Sequence, residues 1–283
     1  MTTSYFILII ASIAIGLTYI VNKKLSHGKF NASTFTCLIS YVNAIISIPL
    51  LLLFINFYIT KNPLLWLLIL ISALTFGLSS YFSFRAYKIA DASTVSLVHK
   101  LNVVLAAIIG ILFLNEKYSF LSYVGLSLIV ISNLFIIYDG KKITIDKGIF
   151  FAFLMASMSA LAAVFDKVIL KDFSSFTYVF VNSFLTGLMF SFQKGVFREG
   201  VKLFKQNTKL VLTTSILTVG SWAAFLFVLK NSTVSKTFPI YKSLSLIVPV
   251  ILGILILKET NKLWQKIAGT VIGVLGILLL AIK

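Results

Sequence analysis

Residues 95–116 read VSLVHKLNVVLAAIIGILFLNE. This stretch is apolar and long enough to cross a membrane, yet it carries Lys100 in its first third. About 143 residues later the pattern returns: residues 238–259 read FPIYKSLSLIVPVILGILILKE, with Lys242 in their first third. A lysine deep in a span costs about 2.5–3.5 kcal/mol on insertion scales. Snorkelling of the four-carbon stem to the interface is one way to meet that cost. The other is a shared site: two cations brought together from two halves, with few acids to neutralise them, fit an anionic ligand such as a phosphate or carboxylate group.

The rest of the chain agrees with a membrane reading. It has 283 residues, 59% hydrophobic and 12% charged, with mean hydropathy +1.03. A soluble domain carries roughly twice that charge fraction. Long apolar runs recur over the whole length, which predicts an all-α polytopic membrane protein of ten transmembrane helices. The first run, residues 5–21, lacks a preceding basic cluster and a small-residue cleavage site, so it reads as a retained span rather than a signal peptide. The longest of the connections, residues 194–209, is read as a lysine-rich loop.

Shifting the chain by about 143 places lays Lys24 on Lys167, Gly110 on Gly253 and Glu116 on Glu259. The division is residues 1–139 and 140–283, each a repeat of five spans. An odd number of spans inserts the second half upside down, and inverted repeats with a site at their interface are a transporter architecture. The net charge of +17 sits in short connections, where headgroups and topology account for it without nucleic acid. Most Lys and Arg follow the odd-numbered spans. By the positive-inside rule the termini then lie outside.

Other polar residues have ligand reach: His99 and Asn102 beside Lys100, and Tyr241, Ser243 and Ser245 beside Lys242. His99 either couples transport to protons or hydrogen-bonds a neighbouring helix. Asn43 in the second span, and Tyr178 with Asn182 in the seventh, either join helices or touch ligand. Tyr178 and Asn182 are spaced to share a helix face. Asp166, beside Lys167 near a span end, reads as an interfacial ion pair, and Trp66, Trp222 and Trp264 read as interfacial belt residues. Pro239 and Pro249 flank Lys242 and are expected to kink that span alone. One cysteine, Cys37, and two histidines give metal chemistry little to work with. No phosphate-binding loop, zinc-protease motif or nucleophile elbow is present, so no enzyme and no cofactor is expected.

Two five-span halves, with ILFLNEKYS in one and VPVILGILILKE in the other, resemble the EamA branch of the drug/metabolite transporter superfamily. Lys24 and Lys167 are similar to the lysine that family places at the end of the first span of each half. VHKLNVV and YKSLSLI resemble the lysine-bearing segments of sugar-phosphate and nucleotide-sugar transporters. The resemblance implies cytoplasmic termini, against the charge rule, so orientation stays open. It implies a secondary transporter, exporter or exchanger, in the plasma or inner membrane as a monomer or homodimer. The expected partners are the lipid bilayer and a small, anionic, phosphorylated or carboxylated metabolite held by Lys100, Lys242, His99, Asn102, Tyr241, Ser245, Tyr178, Asn182 and Asn43. Export of a zwitterionic amino acid, a lipid-headgroup flippase and a non-transporting scaffold are the alternatives.

Overall fold

The computed structural model describes residues 2–53, 61–115, 117–138, 145–232 and 234–281. Glu116, residues 54–58 of the second span and residues 139–144 of the connection between halves lie outside the described residues, as do the side chains of Pro239 and Ser243. The described chain folds into α1 (Thr2–Ser26), α2 (Ala32–Leu53), α3 (Pro63–Ile89), α4 (Ala92–His99), α5 (Leu101–Leu114) and α6 (Phe120–Ile137). The second half supplies α7 (Lys147–Ile169), α8 (Ser175–Ser191), α9 (Val196–Lys230), α10 (Val234–Leu257) and α11 (Leu263–Ala281). Among the described residues, seven segments are long and apolar enough to cross a membrane, and residues 120–135 and 245–257 form shorter apolar helices.

The outer surface is apolar, unlike that of a soluble bundle. Large apolar side chains face outward, among them Phe113, Phe120, Leu255 and Trp264. Serine, threonine and asparagine share the interior with apolar side chains such as Ile69 and Leu97, with Ser72, Asn102, Asn182 and Ser245 fully buried. Lipid tails are as apolar as leucine, so burial does not join these helices; close packing and interhelical hydrogen bonds do. The α6–α11 crossing is the clearest case. A Cβ on Gly125 would meet the Gly276 carbonyl at 2.5 Å, and one on Gly276 would meet the Gly125 carbonyl at 2.6 Å.

Each half packs on the other. α3 lies on α7 as α1 lies on α9, and α2 pairs with α8 as α6 pairs with α11. Lysines repeat the relation. Lys23 Nζ donates to the Tyr87 and Ala90 carbonyls at 2.7 and 2.8 Å, capping α3. Lys167 Nζ donates to the Leu229 and Ser232 carbonyls, capping α9. The counterpart of Lys167 is therefore the buried Lys23, not the exposed Lys24. A single shift of numbering cannot find this, because the helices and the connections carry slightly different offsets.

Three further expectations change. Residues 196–206 are helical rather than loop: α9 runs 35 residues, with non-helical backbone only at Asn207. The span with Lys100 breaks although it has no proline. Lys100 N–H bonds Leu97 O at 3.1 Å and Val103 N–H bonds Lys100 O at 3.0 Å, a tightened turn separating α4 from α5. The proline-bearing α10 is helical throughout Val234–Leu257. Within it the Ser245 amide donates to Ser12 Oγ of α1 at 2.8 Å.

Candidate functional site

A cavity of about 160 Å³ lies between the halves. α1 lines it with Ile15, Thr18, Tyr19 and Asn22, and α7 with Ser159, Ala162, Ala163 and Asp166. Both sets follow the spacing of one helix face, and one constant shift in residue number carries the first set onto the second. α3 contributes Phe76 and three serines, and α9 contributes Thr218, Trp222 and Phe225. Phe76 and Trp222 stack with centroids 4.7 Å apart. Trp222 is 7% exposed and is thus a cavity wall, not a belt residue.

The lysine-bearing segments reach this cavity unequally. Lys242 lines it, its Nζ 5.0 Å from the centre of the Tyr241 ring. Tyr241 is fixed from behind, stacked on Phe225 at 4.6 Å and hydrogen-bonded through its hydroxyl to Ser221 at 2.8 Å. Lys100 is fully buried and does not line the cavity. Its Nζ donates to the Lys242 carbonyl at 3.0 Å and to Ser245 Oγ at 2.8 Å. The two lysines do meet, but through the backbone of one and the ammonium of the other.

His99 occupies the place in α4 that Tyr241 has in α10, and it too lines the cavity. Tyr19 Oη lies 2.9 Å from its Nδ1, and Ser159 Oγ lies 3.0 Å from its Nε2. Asn102 Nδ2 donates to the same Ser159 at 3.0 Å, while Ser159 donates to the Ala156 carbonyl. One neutral tautomer satisfies all of these contacts: Tyr19 donates to Nδ1 and Nε2–H donates to Ser159.

Asn43 lines the cavity at 1% exposure, and its Oδ1 has no hydrogen-bond partner. A buried acceptor left open is costly, and a ligand N–H or O–H would satisfy it. Tyr178 and Asn182 do not line the cavity. They lie behind Asp166, which does line it. The Tyr178 hydroxyl donates to Asp166 Oδ1 at 2.5 Å and lies 2.6 Å from Ser72 Oγ, and Asn182 Nδ2 donates to that hydroxyl at 3.0 Å. Trp222 Nε1 reaches Asp166 Oδ2 at 3.5 Å. Asp166 is therefore held by neutral donors inside the bundle rather than in an interfacial ion pair. Its depth was hidden in the sequence because α7 ends only three residues later, yet packs against α3 and α9 up to that end. In the other half, the corresponding pair is Thr214 Oγ1 donating to Asn22 Oδ1 at 2.9 Å. Both of those line the cavity, with Phe35 standing where Tyr178 does.

Sequence reasoning also passed over the polar clamp at the α3–α4 junction. The Glu259 carboxylate accepts from the Ala92 and Ser93 amides at 2.7 and 2.9 Å and from Ser93 Oγ at 2.5 Å, capping α4. Lys266 pairs with Asp91 at 2.7 Å. Gly253 makes room: a Cβ there would lie 2.7 Å from Glu259 Oε2. No cluster of residues that could hold a metal ion occurs among the described residues.

The chain is similar to known proteins to different degrees. Over 64 residues the chain is 41% identical to a protein of Sinorhizobium sp. described as an uncharacterized transporter in the cobO 3' region. That stretch is 23% of this chain and 45% of the relative, so the match spans less than half of the relative's length. A crystal structure, described only as that of a protein, superposes with a TM-score of 0.58 at 14% identity and covers 99% of this chain and 98% of its own. It has the same fold. The EamA-like transporter family matches twice, over residues 2–138 and again over residues 146–282. With each half matched separately, this multi-pass membrane chain belongs to the EamA-like transporter family.

Proposed function

We propose that the chain is a secondary transporter of ten spans, counting α4 and α5 as one, built as two inverted five-span halves. Its substrate is a small metabolite with one anionic group, a carboxylate rather than a dianionic phosphate. The observation that carries this reading is the cavity itself. It is faced by Lys242, by the open acceptor of Asn43 and by an acid, Asp166. Lys242 takes the negative group, and Lys100 fixes the backbone of Lys242 from behind. Two cations facing the cavity would favour a phosphate; one cation opposite an acid favours a weaker anion. His99 and Tyr241 shape the same wall, and Ser245 and Asn102 act through Lys100 and His99. We read the Tyr178 and Asn182 network behind Asp166 as the closed end and the Asn22 and Thr214 pair as the open one, and alternating access as the halves exchanging these two arrangements.

A second reading draws on Asp166 specifically. An acid facing the cavity with a lysine suits a zwitterion, its amino group toward Asp166 and Asn43 and its carboxylate toward Lys242. Asp166→Asn separates the two. Binding measured by isothermal titration keeps or gains affinity for a simple carboxylate and loses about tenfold for an amino acid. If neither class binds the purified wild-type protein, both readings fail.

A further inference from the structure

The first eleven residues of α9, 196–206, are helical yet cannot cross the membrane with the rest of it. At 1.5 Å per residue the 35 residues of α9 extend about 52 Å, against a hydrocarbon core of about 30 Å. The part after Asn207 alone is about 35 Å long, enough to span. Asn207 (φ −131°, ψ 31°) is where the two parts meet at a kink. The segment begins just as sharply, at Gly195 with φ +85°. Its inner face is buried: Val196 belongs to a cluster with Cys37 and Phe190, and Phe204 packs against the cluster that holds Leu25 and Phe35.

The remaining surface has two stripes. Phe197 is 65% exposed and Val201 43% exposed, one turn apart, and Phe192 just before them is 80% exposed. Beside that apolar stripe run Arg198, Lys202, Lys205 and Lys209, all exposed. The acid of the segment, Glu199, turns away and accepts from Thr34 Oγ1 at 3.0 Å at the start of α2. The basic stripe is therefore uncompensated from within. Basic residues flanking an exposed apolar stripe on one helix are the pattern of a helix lying in a membrane interface.

We propose that residues 196–206 are an interfacial helix docked on an anionic lipid leaflet. Phe197 and Val201 enter the acyl boundary, and Arg198, Lys202, Lys205 and Lys209 contact lipid phosphates. Phe204 packs against the cluster that includes Phe35, and Phe35 lines the cavity.

The test uses the full chain in detergent, with its melting midpoint followed as phosphatidylglycerol, phosphatidylcholine or glycerol 3-phosphate is added. Phosphatidylglycerol raises the midpoint by several degrees, and the other two leave it unmoved. The variant R198Q/K202Q/K205Q/K209Q, altered only at exposed positions outside the cavity, needs about tenfold more phosphatidylglycerol for the same rise. A wild type indifferent to phosphatidylglycerol, a variant that responds as the wild type does, or equal stabilisation by glycerol 3-phosphate would overturn the proposal. A nitroxide on Val201→Cys in reconstituted protein gives an independent reading. It collides more with oxygen than with an aqueous nickel chelate if the helix is docked, and the reverse order also overturns the proposal.

Discussion

At Lys100 a fully buried ammonium rests on two neutral acceptors, the Lys242 carbonyl and Ser245 Oγ. Burying a charge among neutral partners is expensive, and apolar replacements of buried charges are often neutral or stabilising. Here removal strands nothing, because Ser245 Oγ already donates to the same Lys242 carbonyl at 2.9 Å. Lys100→Met is therefore expected to leave the melting temperature unchanged or raised, while transport falls because Lys242 loses its support. A lowered melting temperature with normal transport would make Lys100 a structural residue only. The pair of lysines was legible from sequence, since repetition at matching depth is a pattern. Which of them faces the cavity was not, because it depends on a helix break at Lys100 that no proline announces. Asp166 was misread for a related reason: distance from a helix end does not report what packs over that end.

The helices are joined at a few polar joints, and these joints carry the element-scale predictions. Glu259 caps α4 from the end of α10, lodged against Gly253. Gly253→Ala is expected to push the carboxylate off the α4 N-terminus, at a cost of about 1–2 kcal/mol. Thermal unfolding in detergent would show this as a lower midpoint, and Glu259→Gln should reproduce most of it. If Gly253→Ala is neutral, the carboxylate is not held where the cap requires. At the closed end, Tyr178→Phe removes a hydroxyl shared by Asp166, Ser72 and Asn182. It should raise the reactivity of a thiol at Ser72→Cys toward a water-soluble maleimide severalfold; unchanged reactivity would mean the network does not hold that end shut. Span positions were readable from hydropathy, whereas the helical start of α9 was not. Its lysines look like loop, and only the period of Val196, Gly200 and Leu203 betrays a helix packed on α2.

For the whole molecule, the two lysine caps, the two matched faces of α1 and α7, and the paired packing of α3 on α7 and α1 on α9 each recur from one half to the other. If the halves are inverted, corresponding connections lie on opposite membrane faces. Single cysteines at Lys29 and Lys171, in a Cys37→Ser background, should label from opposite sides of sealed vesicles; labelling from one side would refute the inversion. The internal repeat was readable in the sequence to within a residue or two, which is why Lys24 rather than Lys23 stood opposite Lys167. The central claim is that Lys242 is the cation that the substrate's negative group meets. Its direct test is uptake of a panel of radiolabelled carboxylates, phosphates and amino acids into proteoliposomes by wild type and Lys242→Gln. The account predicts saturable uptake of at least one carboxylate-bearing solute, with half-saturation raised about tenfold or more in Lys242→Gln. Saturable uptake with the same half-saturation in both proteins would contradict it.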